Sequence, residues 1–168
     1  MIEDYDNNIS FQPIYNDALN FPLDLRLYNC DGEDLFEGPL SYYLENIKPI
    51  FQRMGLKIDW ENEIIEQTHN KRIHKVTVNN KEYFIFKGDI EKERDYWEIG
   101  VKNFVEMIND QLKLQRSEDR LYPISCKNDT LVMFLTSKQF RFINHVYKNE
   151  NWKPMKLKKW CKRYIKKR

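Results

Sequence analysis

The spacing of apolar positions changes along the chain, and the clearest change lies in the middle. From Arg72 to Val78 the β-branched residues Ile73, Val76 and Val78 mark an extended segment. Asn79-Asn80 tolerates the positive φ angles of a two-residue turn, and Lys81 to Phe86 brings the chain back, which predicts a β-hairpin. After Gly88-Asp89 the period shifts from two to about 3.6. Trp97, Val101, Phe104, Val105, Ile108 and Leu112 then share one face of a helix. Hairpin and helix each supply the apolar surface that the other needs, so the rest of the chain is expected to pack around them.

Toward the N-terminus, residues 1–21 are rich in Asn and Asp with no sustained period, which predicts either a clinging extended arm or partial disorder. Phe21 to Tyr28 alternates with Leu23, Leu25 and Leu27 on one side and reads as a half-buried strand, followed by a turn at Asp31-Gly32. Pro39 suits a first helical position, and Leu40, Tyr43, Leu44, Ile47, Phe51 and Met54 form a stripe ended by Gly55. Pro49 falls inside that stripe and predicts a kink near Asn46 or a stop and a second short turn. Leu56–Trp60 and Glu63–His69 read as two strands, the second weaker, with a turn at Asn70-Lys71.

Beyond the central helix, Arg120–Cys126 and Thr130–Leu135 flank Lys127-Asn128-Asp129 and predict another hairpin, with Pro123 placing its strand at an edge or beside a bulge. Thr136-Ser-Lys-Gln139 fits a capping box opening a helix with Phe140, Ile143, Val146 and Tyr147 on one face. A last helix over residues 154–168 carries Leu157, Trp160, Cys161, Tyr164 and Ile165 as its apolar stripe. The expected architecture is a single α+β domain over residues 1–168: one antiparallel or mixed sheet of about five to six strands with helices packed on it.

Composition agrees with a folded domain. At 168 residues, with 41% hydrophobic and 14% aromatic content, the chain can bury a core without disulfides. Mean hydropathy of −0.77 and 32% charged residues describe a strongly hydrated surface. No apolar run approaches the ~18 residues of a membrane span, and the acidic start Met1-Ile-Glu-Asp differs from a secretory leader. A cytoplasmic protein is expected. The net charge of +2 hides a polarity: residues 1–40 hold nine acids against Arg26 alone, whereas residues 151–168 hold nine bases and no acid.

Candidate chemistry is sparse. The five glycines lie far apart, so no phosphate-cradling loop is present. Gly-x-Ser-x-Gly and His-Glu-x-x-His are absent. Cys30, Cys126 and Cys161 are scattered and read as unpaired thiols. His69 and His74 flank the expected turn and lack a third ligand, so no metal site and no cofactor is expected. The acids Glu91, Glu93 and Asp95, or Glu61 and Glu63, would suit a small metal-dependent hydrolase, although carboxylates at helix starts and turns need no such role. The basic tail, including Lys156, Lys159, Lys162, Arg163 and Lys166, surrounds a narrow apolar face. That pattern suits nucleic-acid, anionic-membrane or partner binding, or a docked helix with solvated charges. Trp160 and Tyr164 fall on the apolar side, away from any stacking role.

Tyr83-Phe-Ile-Phe86, the helix from Trp97 to Leu112, Asp119-Arg-Leu-Tyr122, Asn128-Asp-Thr-Leu131 and Phe134-Leu-Thr-Ser-Lys-Gln139 together resemble small bacterial immunity proteins of polymorphic-toxin and contact-dependent inhibition systems. The resemblance covers roughly residues 40–148 and assigns no residue a role. It implies a cytoplasmic, non-enzymatic protein that neutralises a cognate toxin by occluding its active site. The excess of acids over bases in residues 1–150 suits a basic partner. The expected contact surface is therefore acidic: Asp31, Glu33, Asp34 and Glu37, or Glu61 and Glu63. The alternative is a nucleic-acid-binding protein acting through the basic tail.

Overall fold

The structure, a computed structural model, describes residues 26–124 and 129–165. Along them run β1 (Leu27–Asp31), α1 (Gly32–Glu37), α2 (Ser41–Arg53), β2 (Trp60–Thr68), β3 (Lys71–Val78), β4 (Lys81–Asp89), α3 (Tyr96–Leu114), β5 (Asp119–Ile124), β6 (Asp129–Thr136), α4 (Ser137–Val146) and α5 (Leu157–Tyr164). The α+β class and the strand number agree with the sequence reading, and every strand pairing is antiparallel. The expected arm over residues 1–21, most of the Phe21–Tyr28 strand and the centre of the Lys127–Asp129 turn lie outside the described residues. No helix among the described residues is long and apolar enough to cross a membrane.

The strands divide between two three-stranded sheets, β1-β6-β5 and β2-β3-β4. The reason lies in α3. Its buried residues include Met107 and Gln111 as well as the expected stripe from Val101 to Leu112, an arc of roughly 160° at about 100° per residue. One sheet covers one side of such a helix. Here β4 packs on one flank and β5 and β1 on the other, with α1 and α5 closing the remainder.

The central hairpin forms as read: Asn79 and Asn80 take φ of 46° and 65° between β3 and β4. Its inward residues differ from the simplest reading. Ile73 and Val76 are three apart and cannot share a strand face. The inward set is Arg72, His74, Val76 and Val78, and Ile73 stays half-exposed. Pairing steps from His74–Phe86 to Lys75–Phe84, leaving Ile85 as an extra residue on β4, so Ile85 and Phe86 are both buried. Asn103 of α3 donates to the Ile85 carbonyl at 2.8 Å.

Other boundaries move for local reasons. Leu56–Asp59 is not a strand, because side chains capture its backbone: Gln115 Oε1 accepts from Lys57 N at 2.8 Å and Asn79 Oδ1 from Asp59 N at 2.9 Å. The single strand β2 replaces the two expected ones, with a bulge between Glu61 and Ile64 where Asn62 has φ of 53°. The turn into β3 is His69-Asn70, and His74 lies opposite Ile65, so the two histidines do not face each other. Asp31-Gly32 opens α1 rather than a turn, because the Asp31 carboxylate accepts from Glu33 N at 2.8 Å. Helix α2 begins at Ser41, two residues after Pro39, and continues through Pro49. Pro49 and Glu45 are both exposed, so the carbonyl that loses its intrahelical donor faces solvent.

The capping box at Thr136 is present, with Gln139 as its partner. Pro123 lies on β5, an edge strand as expected. Cys30 and Cys161 are free thiols, and Cys126 lies outside the described residues. Trp160 of α5 is completely buried, so this helix is docked on the domain.

Candidate functional site

Sequence order separates the α1 acids from β2, and two buried polar links bring them together. Helix α1 begins on its Asp31 cap and is pressed against α3 at Gly32, where a Cβ would sit 2.9 Å from the Trp97 Cβ. Leu35 and Phe36 turn inward, which leaves Glu33, Asp34 and Glu37 exposed. None of these three carboxylates forms an ion pair with a described residue, and the helix has no base in its last turn.

The first link is Arg72. Its guanidinium donates through Nη2 to the Phe36 carbonyl and through Nη1 to Gln67 of β2 at 2.9 Å, and it lies 4.6 Å over the Phe36 ring. Burial lowers the Arg72 pKa and the nearby Glu37 charge opposes that shift. The second link is Glu63. Its carboxylate accepts from Leu40 N at 2.5 Å and Ser41 N at 3.3 Å, and meets His74 Nε2 at 2.8 Å. Glu63 therefore caps α2 from a neighbouring strand, a task usually left to the Ncap residue itself. Burial alone would push the Glu63 carboxyl up; the hydrogen bonds from His74 and the two amides outweigh it and hold the group below its ordinary value. His74 Nδ1 and Arg72 Nε are buried without hydrogen-bond partners among the described residues.

These links fix which predicted site residues remain available. Asp31 is engaged in capping and Glu63 is turned into the interior, whereas Glu33, Asp34, Glu37 and Glu61 face solvent. Sequence reasoning missed Glu66, which is exposed on the same strand as Glu61. It also missed Arg72 and His74 as interior groups, for which strict alternation around Val76 and Val78 was the available signal.

The backbone of β2 adds a feature that side chains do not. Three of the four edge strands receive a side-chain tie. Asn109 clips β5 through Leu121 N and O at 2.7 and 2.9 Å, Asn103 reaches β4, and the Tyr43 hydroxyl donates to Asp31 on β1 at 3.3 Å. No described group ties the outer backbone row of β2. This strand is nine residues long and has no proline and no base; Ile64 is 36% and Ile65 40% exposed. Past the bulge at Asn62 the backbone groups of Ile64–Thr68 form an untied edge available to another strand. Pairing with a second copy would set its acids against one another, which is unfavourable. A partner strand bearing Lys or Arg meets no such opposition.

The basic set lies elsewhere. Helix α5 packs on α3 and β5, with Lys156, Lys158, Lys159, Lys162 and Arg163 exposed and none of them ion-paired to a described residue. Lys166 lies outside the described residues. Between α3 and α5 runs a groove of about 960 Å³ with Ile99, Leu157, Cys161 and Ile165 along its floor. Burial raises the Cys161 thiol, so this sulfur is not poised as a thiolate. Among the described residues no three His, Cys, Asp or Glu side chains gather as a metal-holding group, and Glu91, Glu93 and Asp95 stay at the surface leading into α3. Compared with protein-family models, with curated proteins and with solved structures, the chain finds no match in any of the three.

Proposed function

We propose that this chain is a non-enzymatic binding protein that neutralises a basic toxin by covering its active site. The observation that carries the reading is the open, acidic edge of β2 beside the unpaired carboxylates of α1. Solvent-exposed acidic groups steer and orient a basic protein. An untied strand edge offers backbone hydrogen bonds to an extended segment of it. The rigid links through Arg72 and Glu63 hold both parts of the surface in place before any partner arrives, which limits the ordering cost of binding.

The test compares the wild type with a surface variant carrying Glu33→Lys, Asp34→Lys and Glu37→Lys, and with Glu61→Lys/Glu66→Lys. Tagged proteins are used for affinity capture from nuclease-treated extracts, and the captured partner is then expressed alone and with each form. The expected result is one basic protein that arrests growth by itself, is silenced by the wild type and escapes both variants. Equal capture by wild type and variants, or capture of nucleic acid only, overturns the reading.

A further inference from the structure

Helix α4 buries none of its residues completely, although its apolar positions follow helical spacing. Phe140 stacks on Tyr122 of β5 at 4.3 Å and Ile143 is half-buried, and these hold the inner side. At about 100° per residue the opposite arc carries Arg141, His145, Lys138 and Phe142 in angular order, and Val146, expected on the inner face with Ile143, lies at its border with solvent. Phe142 is 45% and Val146 50% exposed. Trp152, 40% exposed, lies just beyond the helix. Its ring rests 5.3 Å from Tyr147 and its Nε1 donates to Glu150 at 3.0 Å.

The segment carrying Trp152 is fastened to the helix. Asn144 donates to the Pro154 carbonyl at 3.0 Å and Lys153 Nζ to the Tyr147 carbonyl at 3.0 Å. Trp152 is thus held at the C-terminal end of a helix whose Phe142 and Val146 are exposed. Between Ser137 and Ile165 there are nine Lys and Arg residues and a single acid, Glu150. Lys138, Arg141 and Lys148, nearest the patch, form no ion pair with a described residue.

A fixed apolar patch on a surface marks an interaction site, and its basic surround requires an anionic occupant. A nucleic-acid backbone would use the bases and leave Phe142 and Val146 against water. An anionic bilayer surface takes both, with apolar side chains at the acyl boundary and Lys and Arg among the headgroups. We propose that α4 and the segment reaching Trp152 form a peripheral docking face for an anionic phospholipid bilayer, with the bases of α5 adding attraction from a distance. This face lies apart from the β2 edge and does not depend on the toxin-binding reading.

The test is partition of the purified full chain onto vesicles of phosphatidylcholine alone and of phosphatidylcholine mixed with phosphatidylglycerol, at low and raised salt. Binding is expected only to the mixed vesicles, weakening with salt, with a blue shift of tryptophan emission that disappears in Trp152→Phe. Phe142→Ser/Val146→Ser should lower the partition coefficient by about tenfold or more, and Arg141→Glu/Lys148→Glu by a similar factor. Both pairs are exposed, so thermal melting checks that the fold is kept. Absence of binding, equal binding to neutral vesicles, or retention by single-stranded RNA but not by vesicles overturns the proposal.

Discussion

At the scale of single residues, Glu63 carries more than its share, because one carboxylate serves two amides at the start of α2 and the buried ring of His74. Replacing it by Ala strands these donors in a site with little water, at a cost of about 2–3 kcal/mol. Glu63→Gln keeps an acceptor and should cost less, as denaturant titration of the two variants would show. The pH dependence has a definite sign. The folded carboxyl lies below its ordinary value, so its contribution is complete above the unfolded value of about 4.3 and is lost as pH falls through the folded one. The acid limb of the stability curve should therefore flatten in Glu63→Gln. The sequence showed the residues whose reasons are local: Asn79-Asn80 forms its turn and Thr136 caps its helix because the partners lie within a few positions. In the sequence Glu63 looks like any surface acid, since its partners at Leu40 and His74 become neighbours only through the tertiary fold.

Among the elements, the sequence of α2 points to a kink or a stop around Pro49, and the helix does not stop there. Pro49 leaves the Glu45 carbonyl without its helical donor, but on the solvent side, where water replaces it. Pro49→Ala should restore that hydrogen bond and remove the ring's steric conflict. Part of the gain is offset by the freer unfolded chain, leaving a net stabilisation of about 1–2 kcal/mol, measurable as a higher denaturation midpoint. Helix α1 escaped notice because six residues are too few for a periodic signal, and its evidence was the Asp31 cap alone. Strand β2 was read as two strands because the alternation at Leu56, Ile58 and Trp60 is genuine, yet Asn79 and Gln115 take the backbone groups that a ladder would need.

For the whole molecule, the decisive fact is that both sheets rest on α3. The sequence showed that helix and the hairpin before it, but not the second sheet on its other flank, because partner choice among strands is a long-range matter. Phe104, buried in the shared core, should cost about 3–5 kcal/mol on change to Ala. The loss should appear equally in both sheets. Amide exchange of β3 and of β6 under mild denaturant should report one common opening free energy in the wild type, and two separate values would show that the sheets unfold as independent units.

The pairing of β1 with β6 joins Leu27 to Met133, 106 positions further along the chain. During synthesis the β2-β3-β4 hairpins can close as soon as they leave the ribosome, whereas β1 has to wait for almost everything that follows it. Until β6 arrives, β1 and β5 lack the strand that joins them into a sheet over one flank of α3, and a nascent chain stalled before Asp129 exposes their unpaired edges to chaperones and proteases. Vectorial synthesis thus makes the last strand of the domain the one on which survival of the first depends.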